Sequence, residues 1–315
     1  MRTVKIDFSG FWPGFDKEDN FIIKILRERY LVEFADVPDY LFYSVFSKDF
    51  LKYDCIRIFY TGECITPDFN LCDYAMGFDW IAFADRYIRV PLYLLYPEAA
   101  CKENRGELAK EWYDKKSEFC SFVYSNAGAN PIRSELFREI NAYKPVNSGG
   151  KYLNTVGGPV ADKRAFEEKH LFSIACENSS YAGYTTEKLL QAFCAHAVPI
   201  YWGDPLAGKV FNEKAFVNCH AYDKMEDIAE RIRELDQDRE KYVEMLAQPV
   251  WRTGFAPEEQ FEAIKEFLHR IAEQPLETAK RRNDSFWGTI YEKEQKKVLT
   301  GSSMKHKLKA LIGRP

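Results

Sequence analysis

Glu187 and Lys188 stand side by side in residues 184–190, YTTEKLL, where an apolar strand-like run gives way to a helical pattern. Thr185 or Thr186 can cap such a helix. Its first turn offers free N–H groups and a partial positive charge, which favour a bound phosphate, and Lys188 adds a full charge at that place. Glu187 can accept hydrogen bonds from sugar hydroxyls. A surface Glu–Lys pair in a first turn is commonplace, so the pair alone decides nothing. Its surroundings carry more. Leu189, Leu190, Phe193 and Ala197 give the helix a buried face. Residues 170–178 (HLFSIACEN) and 198–203 (VPIYWG) read as strands on either side of it, and in open α/β sheets ligands sit beyond the carboxyl ends of strands.

The elements that must position this pair recur along the chain. TVKIDF reads as a first strand, NFIIKILRERY as a helix, and YLVEF, DYLFYSVF and CIRIFY as further strands. No GxGxxG follows the first strand, which argues against a dinucleotide site there. Residues 101–119 are charged and helical in pattern, a plausible boundary. The strand FCSFVYSN opens a second α/β unit, followed by the helix IRSELFREINAY, a loop rich in Gly, Asn and Ser over 144–159, and the short strand AFVNC after VPIYWG. From Met225 to about Leu276 the chain reads as charged helices. This alternation predicts an α/β chain with parallel sheets. The expected division is residues 1–115, 116–295 and a basic tail over 296–315.

With 315 residues, 46% of them hydrophobic, the chain can bury two cores. A net charge of −4 and a pI of about 5.9 leave no global basic field for nucleic acid. The eight cysteines form no CxxC pair, so buried free thiols in a reducing compartment are expected. The first residues have too short an apolar stretch for a signal peptide, and Asp7 interrupts it. No run reaches transmembrane length. These features predict a cytoplasmic protein. Asp236 and Asp238 make a DxD, but within a charged helical stretch that reads as a solvated face. The five histidines are scattered and are assigned no role.

Glu177 and Asn178, Gly183 and Tyr184, Thr186-Glu187-Lys188 and Pro199-Ile200-Tyr201-Trp202-Gly203 together resemble the signature of the α-1,3/4-fucosyltransferases, family 10 of the glycosyltransferases. YTGE at 60–63, FNLCDYAMGFD at 69–79, DRYIRVPLY at 85–93, Ser125 and Asn126, and PIR at 131–133 are similar in the same order. The similarity runs from about residue 55 to 222 and is closest to the soluble bacterial members. It implies a GT-B fold, two Rossmann-like domains facing a cleft, the first offering the acceptor site and the second holding GDP-fucose. It also implies inverting transfer of L-fucose to the N-acetylglucosamine or glucose of a β-galactoside such as N-acetyllactosamine or lactose, in an α-1,3 linkage of the Lewis X type.

By the same resemblance, Arg133 and Lys188 hold the diphosphate in place of a metal. An Arg can bind phosphate oxygens bidentately. Glu187 binds donor hydroxyls or stabilises positive charge developing on the fucose ring. Tyr184, Asn178, Ser125 and Asn126 match donor-contacting positions. An inverting transfer needs one base to deprotonate the attacking hydroxyl. Glu63, just past the strand CIRIFY, matches that place, with Asp73 and Asp79 as competitors. No cofactor is required; Mn²⁺ enters only as a stimulant of activity without a structural place.

Met304, Leu308, Leu311 and Ile312 fall at helical spacing among Lys305, Lys307, Lys309 and Arg314. This basic tail reads either as a short amphipathic helix making weak contact with an anionic membrane, which would place the protein at the inner face, or as a disordered soluble tail. Two rivals to fucosyl transfer stay open: a GT-B transferase using another nucleotide sugar, and a glycan- or nucleotide-binding protein without turnover.

Overall fold

A computed structural model describes residues 1–100 and 104–298. The chain divides into two compact units: Met1–Val90 together with the chain from Phe261 onward, and Pro91–Gln260.

In the first unit, β1 (Arg2–Ser9) turns Val4, Ile6 and Phe8 inward at every second position. Asn20 then caps α1 (Phe21–Arg27), its side chain accepting from Ile23 N–H. β2 (Tyr30–Phe34), β3 (Tyr40–Tyr43), β4 (Ile56–Tyr60), β5 (Tyr74–Gly77) and β6 (Tyr87–Arg89) follow. β3, β4 and β5 are buried at every position, as expected of central parallel strands covered on both faces.

The second unit contains α2 (Arg105–Asp114), β7 (Glu118–Phe122), α3 (Ile132–Tyr143), β8 (Val146–Ser148), α4 (Lys163–Glu167), β9 (His170–Cys176), α5 (Glu187–Cys194), β10 (Val198–Trp202), β11 (Val217–Asn218), α6 (Met225–Gln237) and α7 (Arg239–Leu246). α8 (Pro257–Glu273) begins in this unit and continues into the first, where α9 (Leu276–Ala279) and a helical stretch over 287–298 follow.

Among the described residues all pairs of named strands are parallel. The sheets run β2-β1-β3-β4-β5-β6 and β11-β10-β9-β7-β8. Counted from the first strand of each unit, the first sheet runs 2-1-3-4-5-6 and the second 2-1-3-4-5, a doubly wound order that places a topological switch point between the first and third strands of each. Two such parallel-sheet α/β units are what the expected GT-B fold requires.

The division differs from the expected 115/116 boundary in two ways. α2 belongs to the second unit because Arg105 is buried there, donating to the carbonyls of Phe193, Leu246 and Gln248 at 3.0–3.1 Å. The chain after Phe261 belongs to the first unit because α8 buries Ile264, Phe267, Leu268 and Ile271, and His269 donates to Ile25 O at 2.9 Å. Arg57, also buried, grips Glu292 of the 287–298 helix with two bonds of 3.0 Å. The basic tail reading falls on residues that lie, beyond 298, outside those described.

Candidate functional site

The switch point of the second sheet lies between β7 and β9, which pair at Cys120 with Phe172 and at Ser121 with Ser173. Their outgoing segments, 123–131 toward α3 and 177–186 toward α5, carry Ser125, Asn126, Asn178 and Tyr184, and the first turns of α3 and α5 carry Arg133, Glu187 and Lys188.

Glu177 is the first residue beyond β9 and is fully excluded from solvent. A buried carboxylate is tolerable only if its lone pairs are met. Here Oε1 accepts the Thr186 N–H at 2.7 Å, and Oε2 accepts the Thr186 hydroxyl at 2.6 Å and Lys188 Nζ at 3.1 Å. Lys188 also donates to Thr186 Oγ1 at 2.8 Å and to Glu187 Oε1 at 3.4 Å. Burial opposes the charge on Lys188, but Glu177 and Glu187 outweigh it and hold the ammonium above the ordinary lysine value. Burial likewise opposes ionisation of Glu187, but Lys188, its own backbone N–H, Lys163 and Thr186 together outweigh it, so that carboxyl is held below its ordinary value. The mouth of α5 is therefore a charged knot in which both residues stay ionised at neutral pH.

Two residues after β10 shape this knot. A side chain on Gly203 would overlap Glu177 Cγ, so only glycine lets the buried carboxylate lie against that backbone. Asp204, also buried, accepts from Gly183 N–H at 2.8 Å, Thr185 Oγ1 at 3.0 Å and Leu206 N–H at 2.7 Å. It fixes the turn at Gly183, where φ is +92°. Thr186 is the residue before the helix, but its hydroxyl serves Glu177 and that of Thr185 serves Asp204. Neither threonine side chain caps α5 as the sequence suggested; the Glu177 carboxylate takes the Thr186 N–H instead.

Arg133 lies in the first turn of α3 and is 1% exposed. Its guanidinium carbon sits 4.1 Å from the centre of the Tyr124 ring. Nη2 donates to Cys176 O at 2.9 Å and Asn178 Oδ1 at 2.8 Å, and Nη1 to Asn126 O at 3.4 Å. Nε is buried without a partner. The guanidinium thus ties the segments after β7 and β9 together, and its bidentate face is engaged by protein oxygens. Asn130 N–H adds a bond to Asn178 O at 3.0 Å. Ser125 and Asn126 are exposed, and Asn126 Oδ1 closes a turn on Gly128 N–H at 2.8 Å. Tyr184 is 3% exposed, its ring packed into the unit.

Glu63, in the first unit, is exposed in the segment after β4, its N–H donating to Thr61 Oγ1 at 3.1 Å. Asp73 cannot share the role considered for it. It is fully buried and accepts from the backbone N–H groups of Arg57, Arg281 and Arg282 at 2.8–2.9 Å and from the Arg282 guanidinium. Asp236 accepts from the Tyr143 hydroxyl at 2.9 Å and from Lys144, and Asp238 caps α7. Both aspartates of the DxD are structural. Among the described residues no cluster of three or more His, Cys, Asp or Glu could hold a metal ion.

A family model described as the α-(1,3)-fucosyltransferase FucT N-terminal domain matches residues 6–96, and one described as glycosyltransferase family 10 (fucosyltransferase), C-terminal, matches residues 113–283. The chain belongs to glycosyltransferase family 10. The family match starts at residue 6 and ends at 283, beyond the 55–222 where the resemblance is legible by eye. The chain is 35% identical over 284 residues to the α-(1,3)-fucosyltransferase FucT of Helicobacter pylori, covering 77% of this chain and 59% of that protein. It is 27% identical over 145 residues to the human 4-galactosyl-N-acetylglucosaminide 3-α-L-fucosyltransferase FUT6, covering 45% of this chain and 39% of that protein. A solved α1,3-fucosyltransferase with GDP-fucose superposes with a TM-score of 0.70 at 28% identity, covering 88% of this chain and 93% of that one. A further α1,3-fucosyltransferase structure gives 0.73 over 90% and 93%. The chain thus spans 59% and 39% of the length of the two curated relatives, FucT and FUT6.

Three residues of this family 10 site carry no role in the sequence reading. Glu177 stands in the family signature without a role of its own, and Asp204 was visible only as an acid after a glycine. Tyr96 is the third. Burial and then the Glu187 carboxylate push its hydroxyl above the ordinary tyrosine value, which puts it within the field of the helix mouth.

Proposed function

We propose that the chain transfers L-fucose from GDP-fucose, with inversion, to the N-acetylglucosamine or glucose of a β-galactoside, forming an α-1,3 linkage. The observation that carries this reading is the Glu177–Thr186–Lys188 knot at the mouth of α5, beside the switch point of a family 10 donor-type sheet. Lys188 supplies the cation for the departing diphosphate, and Arg133 adds positive charge from behind Asn178. No metal is needed in this scheme. Glu187 stabilises the positive charge that develops on the fucose ring. The acceptor oxygen attacks the anomeric carbon, the bond to the β-phosphate oxygen breaks with its electron pair going to GDP, and Glu63 takes the acceptor proton.

Phe286, Trp287, Ile290 and Val298 are exposed on or just before the 287–298 helix, with Lys293, Lys296 and Lys297 among them. Lys296 and Lys297 are paired there with Glu292 and Glu294, so the membrane contact proposed for the chain rests on the basic residues 305–314 of its tail. Among the described residues no helix is long and apolar enough to cross a membrane.

Transfer is tested by incubating the chain with GDP-fucose, UDP- and CMP-sugars and lactose. A fucosylated product from GDP-fucose alone supports the reading; turnover of a UDP-sugar instead overturns it.

A further inference from the structure

β11 is the outer strand of the second sheet, and it is short. Its pairing with β10 sets Val217 opposite Ile200 and Asn218 opposite Tyr201, and ends there. The chain of β10 runs on past it through Trp202 to Gly203 and Asp204, the two residues that shape the knot at α5. His220 stands where β11 would have continued. Asn218 Oδ1 accepts the His220 N–H at 3.1 Å and so caps the 3-10 turn Cys219–Ala221 that carries the ring. The ring stacks on Trp202, with centroids 5.8 Å apart and planes 24° from parallel. Its Nε2 lies 3.3 Å from Gly203 N and 3.1 Å from Gly203 O. Unprotonated, this nitrogen accepts the Gly203 N–H; protonated, it donates to Gly203 O. In either state a side chain meets the peptide that the ladder leaves behind.

That peptide sits directly behind the buried carboxylate. A methyl group on Gly203 would overlap Glu177 Cγ, and the neighbouring Trp202 O accepts the Glu177 N–H at 2.8 Å. Glu177 in turn holds Thr186 and, at 3.1 Å, Lys188. Gly203 has no side chain to anchor it, and the Asp204 carboxylate is tied to the turn at Gly183 rather than to β11. The hold on the Gly203 peptide from the outer side of the sheet therefore comes from His220. The residue is exposed, so burial of apolar surface does not account for its place. No spacing among the five histidines singles it out in the sequence.

We infer that His220 is a positioning residue for the donor diphosphate: it holds the Gly203 peptide against Glu177 and so fixes where Lys188 stands. The inference rests on the reading of Lys188 as the cation that meets the diphosphate. His220 touches no reacting atom in this scheme, and its loss should weaken donor binding without unfolding the chain.

The test uses the full chain as wild type, His220→Ala, His220→Gln and His220→Asn, with GDP binding by calorimetry, hydrogen exchange of the peptide containing Thr186, and thermal melts. A Gln amide reaches as far from the backbone as Nε2, whereas an Asn amide stops short of it. His220→Ala is expected to lose about fivefold in GDP affinity and to exchange faster at Thr186, whose N–H is held by Glu177. Its melting midpoint should move by no more than about 2 °C, because the side chain is exposed. His220→Gln should recover both properties and His220→Asn neither. If wild type binds GDP and His220→Ala binds it equally well, the inference is overturned and the diphosphate reading stands. A Gln variant that behaves like Ala also overturns it, because the ring and not the bond to Gly203 would then matter. If wild type binds no GDP, faster exchange at Thr186 in His220→Ala makes the diphosphate reading fall while the hold on the knot stands.

Discussion

Glu177 and Lys188 form a buried ion pair, Oε2 to Nζ 3.1 Å apart, in which the carboxylate is wholly excluded from water and the lysine side chain is 16% exposed. The pair joins the end of β9 to the first turn of α5, so the strand sets where the cation stands. Removing one partner of such a pair leaves an uncompensated buried charge, at about 3–5 kcal/mol. Lys188→Met is therefore expected to lower unfolding free energy by roughly 3 kcal/mol and to abolish measurable GDP binding. Urea melts and calorimetry with GDP check the two effects separately.

Gly203→Ala should disturb the same knot from behind. The new methyl group overlaps Glu177 Cγ and comes within 2.8 Å of its Cβ, so the carboxylate must move. A loss of about 1–3 kcal/mol is expected for such overpacking. GDP affinity should fall although residue 203 itself carries no polar side chain to bind it. A wild-type melt for this variant would contradict the packing described.

Glu63→Gln separates binding from chemistry. The side chain is exposed and holds no other element in place, so the fold and GDP affinity should be retained. Loss of a general base predicts a fall in transfer rate of about 10²–10⁴-fold. Full turnover in this variant would remove Glu63 from the mechanism.

Acid should loosen the 287–298 helix before the rest of the first unit. Burial disfavours the charge on Glu292, but the two-bond grip of Arg57 and the nearby Lys296 outweigh it and hold the carboxyl down to about 2. A carboxyl depressed in the folded chain contributes stability above its unfolded value of about 4.5, lost as pH falls toward the folded value. The helix should gain hydrogen exchange between about pH 4.5 and 2. Glu292→Gln should exchange faster at neutral pH and lose that pH dependence.

The parts legible in the sequence are those with a long periodic signal. The helix IRSELFREINAY is α3 residue for residue, and the strand–helix–strand around Glu187 is β9, α5 and β10. β5, β6 and β8 escaped because three or four residues, such as the wholly buried Tyr74–Gly77, carry neither alternation nor length. The domain boundary was drawn late because α2 is charged, and nothing local shows that Arg105 reaches carbonyls over 80 residues away. The site was half legible. Residue types and helix position single out Glu187 and Lys188. The burial of Arg133 beneath Tyr124, and the three partners of Glu177 nine and eleven residues on, exist only once the loops close.

The central claim is fucosyl transfer from GDP-fucose. The measurement that tests it most directly is incubation of the full chain with GDP-fucose and a panel of lactose, type 1 and type 2 acceptors, with linkage mapping of the products. The account predicts α-1,3-fucosylated product on lactose or the type 2 chain, lost in Lys188→Met and Glu63→Gln. Absence of any fucosylated product from folded, GDP-binding chain, or transfer that survives both substitutions, would contradict it.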